Sequence, residues 1–166
     1  MNNTSQCFDV DAALAALEAQ LAPLVAADPD AVMVGVETGG AWIAERLHAR
    51  FGLTAPLGTL NISFYRDDFS TIGLHPSVGP SRIEADIDGR TVILVDDVLY
   101  TGRTVRAALN ELFDYGRPAA VKLAVLVDRG ARELPFAADA TGLQIDIERG
   151  RQIKLTGPEP LRLEMR

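Results

Sequence analysis

The chain has 166 residues, 48% of them hydrophobic, and a formal net charge of −7. This length supports one compact domain burying about two-thirds of its unfolded surface without staples, and the single cysteine, Cys7, excludes an internal disulfide and suits a reducing cytosol. The acidic balance disfavours indiscriminate nucleic-acid binding, no run approaches the ~18 apolar residues of a membrane span, and the N-terminus lacks the basic region of a secretion signal, so a cytoplasmic protein is expected.

In chain order, Asp9 and Asp11 are candidate caps for a helical stripe of Leu14, Leu17, Leu21, Leu24 and Val25, which Asp28-Pro29 ends. Residues 31–36 read as a strand and Glu37-Thr38-Gly39-Gly40 as a turn. A second helix follows, with Ile43, Leu47 and Phe51 on its core face. Trp42 and Phe51 read as packing residues, and His48, His75 and Cys7 lack the spacing of a metal site. Residues 56–65 hold one or two strands. Residues 66–82 carry Gly73, Pro76, Gly79 and Pro80 with few periodic apolar positions, and a loop of that length inside a compact domain is usually a functional lid.

Thr91 to Val95 then runs as a buried strand into two adjacent carboxylates, Asp96 and Asp97. A polar loop with Thr101-Gly102-Arg103-Thr104 follows, and Val105, Leu109, Leu112 and Phe113 mark a helix beginning at that loop. A strand at 120–127 and a β-rich tail from Leu143 complete the chain. The alternation implies an α/β fold, a parallel sheet with helices on both faces. Right-handed crossovers set the turns at 37–40, 98–104 and 128–132 along one edge, where open α/β sheets bind ligands.

Backbone N–H groups and threonine hydroxyls at a helix start suit a phosphate. Two carboxylates before that loop suit a hydrated Mg²⁺ or the hydroxyls of a ribose. Side by side, these imply a phosphorylated sugar. An Asp-Asp pair is otherwise a solvated strand end or half of a nucleoside-triphosphatase site, but the chain has no G-x-x-x-x-G-K-[ST] loop and no G-x-G-x-x-G.

The segment Val95-Asp96-Asp97-Val98-Leu99-Tyr100-Thr101-Gly102-Arg103-Thr104 closely resembles the phosphoribosyl-diphosphate (PRPP) signature of type I phosphoribosyltransferases. Its form is similar to one branch, the pyrimidine-operon regulatory proteins/uracil phosphoribosyltransferases. The likeness extends through Ser63-Phe64-Tyr65-Arg66-Asp67-Asp68 and through Val127-Asp128-Arg129-Gly130-Ala131-Arg132-Glu133-Leu134-Pro135. It covers roughly residues 8–160, so it implies a single phosphoribosyltransferase domain over 1–166, with a flexible lid and hood.

The implied reaction moves ribose 5-phosphate from PRPP to uracil, giving UMP and pyrophosphate with Mg²⁺ as cofactor. Asp96 and Asp97 then take the catalytic and Mg²⁺-binding places, the metal held partly through water. Val98 to Thr104, with Leu99, Tyr100, Thr101, Gly102 and Arg103 between them, take the 5′-phosphate. Thr38, Gly39, Gly40 and the lid's Arg66 take pyrophosphate, and Asp128 and Arg129 face the base. Arg132 and Glu133 read as strand-end salt-bridge partners. Better-known members carry an arginine where this chain has Gly39. Similar purine enzymes carry an acidic residue at the place of Tyr100, and a tyrosine of reference pKa ≈ 10 is no carboxylate at neutral pH, so a pyrimidine is expected.

The resemblance also implies a homodimer or larger homo-oligomer. Its alternative function is a UMP-sensing, RNA-binding attenuator of the pyrimidine operon. Charge disfavours that alternative. No Lys or Arg precedes Arg46, the first helix carries Glu18, and residue 137 is Ala where many relatives are basic. The basic residues gather late, at Arg149, Arg151, Lys154, Arg162 and Arg166.

Overall fold

The computed structural model describes residues 6–62 and 80–166. A short strand β1 (Cys7–Phe8) leads into helix α1 (Val10–Ala27), whose first turn is capped by the Asp9 carboxylate accepting from the Ala12 N–H at 3.0 Å. Strand β2 (Val32–Val36), helix α2 (Gly39–Phe51) and strand β3 (Gly58–Leu60) follow. After the undescribed segment come β4 (Thr91–Leu99), α3 (Arg103–Phe113), β5 (Ala120–Asp128), β6 (Ala140–Gln144), β7 (Ile153–Thr156) and β8 (Arg162–Met165).

Five strands form a sheet in the order β3-β2-β4-β5-β6, every pair parallel. Parallel strands buried on both faces read as near-continuous apolar runs, as in Val-Met-Val-Gly-Val of β2. Their side chains alternate between two cores. Met33, Ile93, Val95, Ala124 and Leu126 pack under α1 and α2 on one face. Val34, Val92, Leu94, Leu123 and Val125 pack with Val105, Ala108 and Leu112 of α3 on the other. Two apolar clusters separated by one sheet are the two-faced layering expected of the alternating pattern.

The expectation that no stretch is long and apolar enough for a membrane needs correcting. By length and composition Val10–Ala27 is. Its Val10, Ala13, Leu17, Leu21 and Val25 are buried, and the helix packs on β5 and β6. The alanines between them raise its hydropathy without making it a lipid-facing helix; it is a core helix of this fold.

A second, antiparallel sheet of order β1-β8-β7 joins the N-terminus to the tail, with Phe8 opposite Leu163 and Leu155 opposite Leu163. Ile153, Leu155 and Leu163 close the core over α1 and α2, with Trp42 packed beside them. His48 bonds the Ala55 carbonyl at 2.8 Å, a structural role. The lid read at 66–82, with Arg66 and His75, lies outside the described residues except for 80–82. At the base of that segment Thr59 and Arg82 exchange two backbone hydrogen bonds of 2.8 Å, and the Asn61 N–H donates to Ser81 Oγ at 2.8 Å.

Candidate active site

The carboxyl ends of β2, β4 and β5 lie on one edge, because the three strands are parallel neighbours. The turns after them therefore meet there, as expected from the crossover rule. Between them and the small sheet lies a cleft of about 540 Å³. Asp97, Thr101, Arg103 and Thr104 line one side, and Glu133 and Lys154 reach it from the other.

Strand β4 runs further than its apolar residues suggest. It continues through both carboxylates to Leu99, since Asp96, Val98 and Leu99 keep their register with Val125, Val127 and Asp128 of β5. Alternation then separates the pair. Asp96 is buried, its Oδ1 accepting from the Asp97 N–H at 2.8 Å, whereas Asp97 is half-buried on the cleft wall, its Oδ1 accepting from the Val98 N–H at 2.8 Å.

The turn after β2 carries the start of α2 within it, because the helix begins at Gly39. The Glu37–Thr38 peptide bond is cis. Both glycines serve close approach. A Cβ at Gly39 would run into the Asp97 carboxylate, and one at Gly40 would stand 2.6 Å from the Val95 carbonyl oxygen and 2.9 Å from the Asp96 Cα. Gly39 thus gives the Asp97 carboxylate its seat beside the N-terminus of α2, where the helix dipole favours an anion.

After β4, Gly102 adopts φ 95° at the start of α3, and neither α2 nor α3 has a side chain capping its N-terminus. Both helix starts open on the same edge, where the helix dipole favours an anion. The Arg103 N–H uses the Thr101 hydroxyl at 3.2 Å, while the Arg103 guanidinium pairs with Glu133 at 2.9 Å across the mouth of the cleft.

The turn after β5 folds back on this loop. The Arg129 N–H donates to the Leu99 carbonyl at 3.0 Å, and the Glu133 and Leu134 N–H groups both donate to the Thr101 carbonyl at 2.9 Å. Arg129 is buried and stacks its guanidinium on the Tyr100 ring, 3.9 Å from the centroid, with Nε lacking a hydrogen-bond partner. Asp128 spends both oxygens inside the turn: Oδ1 accepts from the Gly130 N–H at 3.0 Å and Oδ2 from Arg132 at 2.6 Å. Burial pushes the Asp128 carboxyl up, but the Arg132 hydrogen bond, the Gly130 N–H and the Arg132 charge outweigh it and hold it below the usual range.

Of the residues singled out in the sequence, Asp97, Val98, Thr101, Arg103 and Thr104 line the cleft. Thr38, Gly39, Gly40, Leu99, Tyr100, Gly102, Asp128 and Arg129 are not among its lining residues, although Gly39 lies against the Asp97 carboxylate; Asp96 is buried, and Arg66 lies outside the described residues. Glu133, read from the sequence as a salt-bridge partner and paired with Arg103, and Lys154, read among the late basic residues, also line the cleft. The signal for Lys154 was the alternation of Ile153, Lys154 and Leu155, in which only the lysine is exposed. Among the described residues no group of three or more His, Cys, Asp or Glu could hold a metal unaided. Of the two carboxylates only Asp97 faces the cleft, and one carboxylate with ligand phosphates and water is a donor set that Mg²⁺ accepts.

The comparisons agree with this geometry. A model of the phosphoribosyl transferase domain matches residues 8–156. The bifunctional protein PyrR of Nitrosococcus oceani is 57% identical over 135 residues, spanning 80% of this chain and 76% of that protein. The bifunctional protein PyrR of Pseudomonas aeruginosa is 57% identical over 131 residues, with 79% and 77% covered. Among solved structures, a hypoxanthine-guanine phosphoribosyltransferase from Bacillus anthracis superposes with a TM-score of 0.70, covering 97% of this chain and 96% of that one; at 17% identity it speaks for the fold alone. The domain model's match over residues 8–156 and the 57% identity to these relatives mean that this chain belongs to the phosphoribosyltransferase domain family, in the branch of the bifunctional PyrR proteins.

Proposed function

We propose that this protein transfers ribose 5-phosphate from PRPP to uracil, forming UMP and releasing pyrophosphate. The observation that carries the reading is the single cleft lined by Asp97 and the Thr101–Thr104 loop, with the turn after β5 folded against Tyr100 at its end. The bond from the anomeric carbon to pyrophosphate breaks, the bond to uracil N1 forms, and the N1 proton is lost. Positive charge builds on the anomeric carbon and ring oxygen meanwhile. Asp97, with Asp96 behind it, binds the ribose hydroxyls and stabilises that charge. Thr101, Gly102, Arg103 and Thr104 hold the 5′-phosphate, with Val98, Leu99 and Tyr100 shaping the loop. Thr38, Gly39, Gly40 and Arg66 take the pyrophosphate.

Asp128 and Arg129 form the base side. Both Asp128 oxygens are engaged within the turn, so its contribution is the shape of that turn and its free backbone groups. Asp97, with Asp96 reached through water, would hold Mg²⁺, and the metal would supply charge neutralisation to the departing diphosphate. Positioning supplies much of the rest, and no nucleophilic side chain is required. A cytoplasmic homo-oligomer with one domain over 1–166 belongs to the same proposal.

The word bifunctional in the relatives' name is the specific observation behind a second reading, a UMP-sensing regulator that binds pyrimidine-leader RNA. Against it, α1 offers no cation, and its Glu18 takes up Arg50 at 3.0 Å. Filter binding of leader RNA with and without UMP separates the two. The enzyme is tested by assaying nucleotide formation from PRPP and Mg²⁺ with uracil, orotate, hypoxanthine and guanine. UMP formation from uracil alone is expected, and no product from any base overturns the reading.

A further inference from the structure

Besides its backbone bonds to the loop after β4, the turn after β5 is tied by one side chain that reaches both loops. Gly130 at φ 70° and Ala131 at φ 56° are both left-handed, which turns the chain back so that Arg132 lies over Asp128. Every guanidinium nitrogen of Arg132 is then used. Nε donates to the Phe136 carbonyl at 2.9 Å, Nη1 to the Tyr100 carbonyl at 2.9 Å and, more weakly, to that of Gly130 at 3.4 Å, and Nη2 to Asp128 Oδ2 at 2.6 Å. The Arg132 side chain is 23% exposed, so these bonds form with much of the water excluded. Of its acceptors, Asp128 ends β5, and Gly130 and Phe136 belong to the stretch after it. The Tyr100 carbonyl belongs to the loop after β4, one residue before Thr101.

We propose that Arg132 is a positioning residue that fastens the base-side turn to the 5′-phosphate loop, so that the two ends of a nucleotide are gripped by one rigid unit. The inference rests on the reading of this cleft as a nucleotide-forming site. It goes beyond the salt bridge to Asp128, because the fork reaches a backbone carbonyl of the other loop. A planar fork serves these three directions at once, and a lysine ammonium at the end of a flexible stem does not. Ligands that touch one loop are held by that loop. A ligand that spans both depends on their spacing.

The test uses the full chain with Arg132→Lys and Arg132→Gln. Titration calorimetry with UMP and with ribose 5-phosphate is run beside steady-state kinetics for PRPP and uracil. In both variants UMP affinity is expected to fall about tenfold and the KM for uracil to rise similarly, a loss on the scale of one charge-assisted bond. Ribose 5-phosphate affinity and the KM for PRPP should stay within about twofold, because the phosphate loop keeps its internal bond from the Arg103 N–H to the Thr101 hydroxyl. Wild-type UMP affinity in Arg132→Lys would mean that charge alone matters and overturns the proposal. So does a parallel loss of ribose 5-phosphate binding, which marks general collapse of the loop. A wild-type protein that neither binds nor makes UMP removes the underlying reading first, and is recognised before any variant is compared.

Discussion

At the scale of single residues, Asp96 and Asp97 are neighbours in sequence with opposite surroundings. Asp96 is 5% exposed and serves the strand, whereas Asp97 lies on the cleft wall beside Gly39. On the proposed reading the charge that matters is that of Asp97. Asp97→Asn keeps an oxygen for the Val98 N–H, so unfolding free energy should change by no more than about 0.5 kcal/mol. Its kcat should fall about 100-fold or more, the scale of losing one electrostatic stabiliser, and equal turnover at saturating PRPP and Mg²⁺ would remove the assigned role. Asp128 makes a separate prediction about acid. Its carboxyl is depressed in the folded state, so its stabilising contribution is complete above the unfolded value of about 4 and is lost as pH falls through the folded value. Wild type should therefore exceed Asp128→Asn in urea midpoint at pH 7, and the gap should close below about pH 4. A gap independent of pH contradicts the depression. That the turns carrying Tyr100 and Asp128 share one edge was legible from the crossover rule, but which groups join them was not. The bonds that join them run to backbone carbonyls, which leave no mark in a sequence.

At the scale of elements, α2 is pressed onto β4 at Gly40, where a methyl would meet the backbone of Val95 and Asp96 and nothing there can swing aside. Gly40→Ala should cost about 1–3 kcal/mol by overpacking, read from denaturant midpoints. The same displacement would shift the uncapped start of α2 and depress activity beyond what stability explains. Gly52 is the control, because its φ of 61° caps the helix in open space. Gly52→Ala should cost about 1 kcal/mol from backbone conformation alone and leave kcat unchanged. The parallel strands and three helices were legible because apolar periodicity and Asp, Pro and Gly punctuation are local signals. Three features were not. Strand β6 starts at Ala140, ahead of the tail read from Leu143, and joins the main sheet in parallel. The continuation of β4 through its carboxylates is sustained by pairing with β5, and the two-residue β1 exists only because β8 lies beside it. Both are decided by partners distant in sequence, as strand propensity usually is.

At the scale of the whole molecule, the choice of base depends on how the cleft is assembled from separate loops. Tyr100 presents one ring face to Arg129, so this position offers no carboxylate to a purine. The turn that carries Arg129 is fixed in turn by Arg132 and by the pair of bonds to the Thr101 carbonyl. A site built around one base's donors and acceptors rejects another by leaving its own buried polar groups unpaired, which reaches about 10⁴-fold in kcat/KM. Uracil should therefore exceed guanine and hypoxanthine by several orders of magnitude. Tyr100→Asp alone should not reverse that order, because it leaves the backbone geometry of the 128–136 turn in place while removing the ring under a buried guanidinium. The expected outcome is a protein that loses uracil activity, by about tenfold or more from the lost stacking and loop order, and gains no guanine activity. Comparable kcat/KM for uracil and guanine in the unmodified protein would sink the base assignment. The phosphate loop and the paired carboxylates would stand, since nothing in their geometry refers to the base.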